Sequence, residues 1–178
     1  MLMPMPWKPA LAVALLALVP ACSGNDPSSQ QNQAIRAAVD SSQITLQESV
    51  SIAEASRQGS VALKATLLTR SSLLSVGTFA DGALTDVRIG LDGVIQSTEP
   101  LSGDAPSCEG SVSLGQAIAA AEAAVNGEAV VVQPDDDDAC DREVKVLDGA
   151  DVLYEVKIAP DGTVKESEIA DDADETDA

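Results

Sequence analysis

Histidine is missing from this chain altogether, and aromatic side chains nearly so: one Trp, one Tyr and one Phe in 178 residues. Without an imidazole there is no Ser–His–Asp or Cys–His nucleophile pair, and the common zinc, copper and haem sites lose their usual ligand. Basic residues are scarce too, 10 Lys and Arg against 29 Asp and Glu, a formal charge of −19. Such a surface repels nucleic acid and anionic lipid headgroups, so neither is expected as a partner. No Ser-x-x-Lys or Gly-x-Ser-x-Gly arrangement activates a serine, and no glycine-rich loop is laid out to cradle a phosphate. Carboxylate pairs are too frequent at this composition to mark a catalytic couple. These absences predict a protein that is not an enzyme and holds no cofactor.

Long apolar runs are also few. Ala10 to Val19 is uninterrupted, preceded by Lys8 and followed by Pro20-Ala21-Cys22. A run of this length is too short to span a bilayer and fits a secretory signal. Val19-Pro20-Ala21-Cys22 resembles a bacterial lipobox, which implies cleavage before Cys22 and lipid attachment to it. Ordinary signal peptidase is the alternative that the same Val-Pro-Ala allows. Ser23, by resemblance to Gram-negative lipoproteins, implies passage to the outer membrane, facing the periplasm. Every Met leaves with the signal, as do Trp7 and Lys8, so the mature chain is more acidic still. Membrane attachment must then come from the lipid.

With Cys22 acylated, Cys108 and Cys140 remain as a pair in an oxidising compartment. A bridge between them closes a loop of about 33 residues and is worth roughly 3–4 kcal/mol. A redox or metal role for the two fits less well, because there is no Cys-x-x-Cys spacing and no His to complete a shell.

What the chain does have is one passage written twice, 68 residues apart. Thr45-Leu46-Gln47-Glu48 opens the first copy and Ser113-Leu114-Gly115-Gln116 the second. Both fit the capping-box pattern at a helix start. Leu114, Ala117, Ile118, Ala121 and Val125 make one apolar stripe, which Leu46, Val50 and Ala53 repeat more weakly. Gly59 and Gly127 stand where a left-handed C-terminal cap is expected. Strands are predicted over Val61–Leu68, Leu73–Phe79, Leu84–Leu91 and Val94–Thr98, then over Ala129–Gln133, Glu143–Leu147, Val152–Ile158 and Thr163–Ile169. Val152, Tyr154, Val156 and Ile158 share one face of their strand, with Glu155 and Lys157 on the other. Asp81-Gly82, Asp92-Gly93, Asp148-Gly149 and Asp161-Gly162 are read as two-residue hairpin turns. The expected fold class is α+β, two repeats, each a helix packed on an antiparallel meander of three to four strands.

The passage from Ser113-Leu114-Gly115-Gln116-Ala117-Ile118 to Leu153-Tyr154-Glu155-Val156-Lys157-Ile158-Ala159-Pro160-Asp161-Gly162 resembles the PepSY family. The first copy follows it less closely, with no aromatic where the second has Tyr154. PepSY domains occur in propeptides of secreted peptidases and in envelope proteins, and a role in inhibiting or regulating peptidases has been proposed for the family. No family-wide catalytic residues exist to carry over. The resulting division is a signal peptide over 1–21, a flexible Ser/Gln/Asn-rich tether over 22–43 with room for a short helix over Gln33 to Val39, repeats over 44–100 and 112–169 with a linker at 101–111, and an acidic disordered tail over 170–178.

The run Asp135-Asp136-Asp137-Asp138 is the one local cluster of hard oxygen donors, a candidate Ca²⁺ site. It lacks the alternating spacing and distant Glu of a formed calcium loop, so a solvated loop is the competing reading. The expected function is a non-catalytic, lipid-tethered envelope module that binds a protein partner, by resemblance an exported peptidase. The alternative is an acidic structural or cation-buffering surface lipoprotein with no specific protein partner.

Overall fold

The computed structural model describes residues 27–103, 108 and 111–170. The signal segment, Cys22, most of the linker and the tail beyond Ala170 lie outside the described residues. Among the described residues, three helices, α1 (Pro27–Ser41), α2 (Leu46–Ser56) and α3 (Leu114–Val125), accompany one eight-stranded antiparallel sheet. The strands are β1 (Val61–Leu68), β2 (Leu73–Ala80), β3 (Ala83–Gly90), β4 (Ile95–Leu101), β5 (Gly127–Pro134), β6 (Arg142–Asp148), β7 (Leu153–Ile158) and β8 (Val164–Ile169).

Both anticipated helix starts form as capping boxes. The Thr45 hydroxyl accepts from the Glu48 amide at 3.1 Å, and Glu48 accepts from the Thr45 amide at 2.7 Å. Ser113 and Gln116 exchange the same two bonds, each at 3.3 Å. Each box satisfies donors that the first turn leaves unpaired. The helix ends differ from expectation. Asn126, not Gly127, takes the left-handed cap of α3, with φ 58° and its N–H donating to the Glu122 carbonyl. Asn tolerates that conformation. Gly127 is already strand, and a side chain there would run into the Leu147 backbone. At the end of α2, Arg57 is extended and Gly59 takes the left-handed turn two residues later.

The strand order is β4-β3-β2-β1-β5-β6-β7-β8. Two four-stranded meanders therefore meet at their first strands, where β1 and β5 pair through Ala65↔Val132 and Thr66↔Val131. Of the four anticipated two-residue turns, only Asp81-Gly82 is one, joining β2 to β3 with both residues at positive φ. The other three acids fold wider loops. Asp92 accepts from the Val94 amide, Asp148 from the Ala150 and Val152 amides, and Asp161 from the Thr163 amide. Each carboxylate bond, two to four residues ahead, adds to the backbone bonds that close these loops, such as those from the Gly93, Asp151 and Gly162 amides to the Gly90, Asp148 and Ala159 carbonyls.

Val87, Val76, Ala65, Val132, Val144 and Val156 are direct neighbours in the register and form one row across six strands, none more than 1% exposed. Leu46, Val50 and Ala53 of α2 and Leu114, Ala117, Ile118 and Ala121 of α3 are buried in the same core. The alanines let the helices approach the sheet closely, so a core almost without aromatics still fills. Both first strands carry a bulge, between Ala62 and Lys64 and between Ala129 and Val131. At each, a helix glutamate accepts the strand amide: Glu54 from Ala62 at 2.9 Å and Glu122 from Ala129 at 3.0 Å.

The segment expected as a flexible tether departs most from expectation. From Pro27 onward it is α1, with Ile35 fully buried and Ala38 nearly so. Arg36 explains why a Ser/Gln/Asn-rich stretch orders. Its guanidinium donates to Asp151 at 2.8 Å, to Glu128 at 2.8 Å and to the Asp148 carbonyl, while Asn32 donates to the Asp151 carbonyl. The other end is held at Leu91, whose carbonyl accepts from the Gln43 amide at 2.7 Å. Helix α1 thus runs across one end of the sheet, from the β6–β7 turn to the β3–β4 turn.

Candidate functional site: the polar face of the sheet

Side chains alternate along a strand, so the residues between the valines of the core row face away from α2 and α3. The register places Ser97, Arg88, Ser75, Thr66, Val131, Lys145, Glu155 and Glu168 in one row across all eight strands. The neighbouring positions include Lys64, Gly77, Asp86, Gln133, Glu143 and Lys157. Lys64, Arg88, Lys145 and Lys157 stand on this face in a chain with only 10 basic residues.

Most of these charges are locked to one another. Asp86, 7% exposed, accepts from the Ser75 hydroxyl at 2.6 Å and from Arg88 at 3.0 Å. Lys145 lies 3.9 Å from Glu143, both buried. Lys157 reaches Asp135 at 3.1 Å and Asp137 at 3.8 Å. Glu155 faces Lys145 on one side and Glu168 on the other. Burial pushes the Glu155 carboxyl above the ordinary range, against the pull of Lys145 and Lys157 and with the help of Glu168 and Asp135.

A carboxyl raised in the folded state binds more protons folded than unfolded. Stability therefore falls as pH rises from the ordinary glutamate range through the folded value, and stays lower above it. Glu155→Gln removes that ionisation. It is expected to raise Tm at about pH 7 and to leave it unchanged at about pH 3, where the wild-type carboxyl is protonated as well. Thermal melts at both pH values check this, and an equal shift at both would refute it.

The aspartate run is a built loop. Asp135 is 4% exposed and turned inward, accepting from the Asp137 and Asp138 amides and from Lys157. Burial alone would raise its carboxyl, but the Asp138 amide, Lys157 and the Asp137 amide outweigh that and hold it below the ordinary value. Asp138 accepts from the Cys140 amide, and Asp136, Asp137 and Asp138 are exposed. Asp141 accepts from Lys165 of β8 at 2.5 Å, which raises the lysine. The anticipated Ca²⁺ donors therefore do not converge. No three acidic or sulfur ligands gather around a point among the described residues. Calorimetric titration is expected to show no saturable calcium binding below millimolar, and a saturable site would overturn that geometry.

Cys108 and Cys140 are bonded, with Cα atoms 5.3 Å apart. The bridge pins the start of the second half to the aspartate loop, and the Ser111 hydroxyl adds a bond to the Cys140 carbonyl. Cys22, the anticipated lipidation site, lies outside the described residues. Among those residues no helix is long and apolar enough to cross a membrane.

Strand alternation puts Lys157 on this face but does not name the partners that engage it. Glu54 and Glu122 are missed as well, although they stand at the same 68-residue offset as the helix caps, a signal that was available. No protein-family model matches this chain, and no curated protein does. One solved structure is similar, that of a lipoprotein candidate from Clostridium difficile 630, at 15% identity and TM-score 0.42. The match covers 71% of this chain and 93% of that one.

Proposed function

We propose that this protein is a non-catalytic lipoprotein of the cell envelope, anchored through Cys22, that binds a protein partner on the polar face of its sheet. The charge distribution carries this reading. Basic side chains are rare in the chain, yet Lys64, Arg88 and Lys157 reach solvent on the face opposite α2 and α3, interleaved with carboxylates, with Lys145 buried beneath them. A mixed pattern of fixed charges selects a partner by complementarity more than by bulk attraction.

The scaffold is two copies of one PepSY-like unit, a capped helix followed by a four-stranded meander, fused through the first strands. Three correspondences support this: the capping boxes, the bulges in β1 and β5 with their glutamates, and the bulges at Arg88/Ile89 and Lys157/Ile158. On the PepSY resemblance the partner is an exported peptidase, which the protein inhibits or regulates, and the outer membrane facing the periplasm is the site of attachment.

The test is recovery of partners on the immobilised lipidated chain from envelope extract, followed by protease assays of what is recovered. A peptidase whose activity falls as the protein is added supports the reading. Peptidases unaffected at large molar excess defeat the inhibitory part of it. Cys22→Ser is expected to move the protein from the membrane fraction to the soluble one.

A further inference from the structure

Gly77 lies in the middle of β2 on the polar face, between Lys64 of β1 and Asp86 of β3 in the register. Beside it lies a hollow of about 220 Å³, open to solvent on one side and walled by Leu63, Leu84, Leu101 and Pro134. A β-carbon at position 77 would meet Cγ of Lys64 at 3.0 Å, so the lysine stem lies along the floor. Such a stem contributes apolar surface while its ammonium stays available. Arg88 is engaged by Asp86, Lys145 by Glu143 and Lys157 by Asp135. Lys64, by contrast, makes no ion pair or side-chain hydrogen bond among the described residues, although the chain carries a formal −19.

We propose that this hollow takes a peptide segment that pairs an aliphatic side chain with a carboxylate. The side chain sits against Leu84 and Leu101 and the carboxylate on the Lys64 ammonium. Charge complementarity sets the polar half of the ligand, because a cation left without a partner among the described residues, beside engaged ones, calls for an anion. Volume sets the apolar half. A cavity of about 150 Å³ already accepts a benzene-sized group, so this one accommodates a leucine-sized side chain. Leu101 belongs to the edge strand β4, so a segment can enter from the free edge of the sheet. A chain-terminal carboxylate and an Asp or Glu side chain offer the same chemistry. The proposal rests on the reading of the polar face as a protein-binding surface.

The experiment titrates the ¹⁵N-labelled full chain in detergent with N-acetyl-leucine, N-acetyl-leucyl-glutamate amide and N-acetyl-leucinamide. Saturable shifts of the Gly77, Leu84 and Leu101 amides are expected with one or both of the first two, and whichever binds names the source of the carboxylate. Binding at least tenfold weaker is expected for the leucinamide, and for either carboxylate probe on Lys64→Gln. Lys64→Arg should keep the preference for a carboxylate. The exposed position of Lys64 makes these variants safe for folding. Equal affinity for the leucinamide, indifference to Lys64→Gln, or no saturable shift overturns the proposal. If the probes fail while the immobilised chain still recovers its partner, only the hollow falls. If the probes bind and no partner is recovered, the hollow stands and the wider reading falls.

Discussion

Ile118→Ala is expected to cost about 2–5 kcal/mol, a large share of the roughly 5–15 kcal/mol that holds a domain of this size together. Ile118 is fully buried on α3, flanked by Ala117 and Ala121, which are also fully buried. Alanines cannot swing into the space that the lost methyl and methylene groups leave. The facing valines of the sheet are stiff at χ1. The cavity therefore stays open, and the cost should fall in the upper part of the range. The same position in α2 is Val50, 4% exposed. Val50→Ala removes less volume and should cost less. Urea unfolding followed by circular dichroism measures both, and an Ile118→Ala loss below that of Val50→Ala would contradict the described packing of α3.

Breaking the Cys108–Cys140 bridge, by reduction or by the double serine variant, is expected to cost ~3–4 kcal/mol on the chain-entropy model. The sequence separation of 32 sets that value. Little of the loss should appear as native disorder. The aspartate loop keeps its contacts from Asp135 to Lys157 and from Asp141 to Lys165, and the Ser111 hydroxyl keeps the Cys140 carbonyl. The effect belongs mainly to the unfolded chain, which gains freedom when the loop opens. The urea midpoint should drop and the m-value rise, since a more expanded unfolded state exposes more surface. A fall in midpoint together with lost amide protection in β5 and β6 would instead mean that the bridge holds the native loop.

The strand phase was legible in β3 and β7, where the apolar positions alternate, and less so in β5 and β6, where successive residues are buried. Val87 and Ile89, like Val156 and Ile158, point inward because alternation leaves them no other face to bury. Where a boundary depended on a partner, the sequence was less informative. Strand β4 runs to Leu101 through Pro100, past the expected end at Thr98, because an edge position does not need the missing N–H on its outer side. The full length of helix α1, beyond a short helix over Gln33 to Val39, was hidden for a similar reason. Its polar composition reads as coil, and the groups that order it, Glu128 and Asp151, lie 92 and 115 residues away. The Asp135 loop illustrates the same point for the site. Four acids in a row suggest a cation, and the cation that is present is the ammonium of Lys157. Nothing in the run itself names that lysine, which arrives from β7 only once the sheet has formed.

The placement of α1 has a mechanical consequence. Tension applied at the N-terminal side of α1 reaches the sheet through Asn32 and Arg36, which grip the β6–β7 turn and Glu128 of β5. Those side-chain bonds yield one after another, as in peeling. The backbone ladders between strands run from edge to edge and share a load in parallel. A pull from that end would therefore load the side-chain bonds of α1 and its buried Ile35 before the ladders between strands.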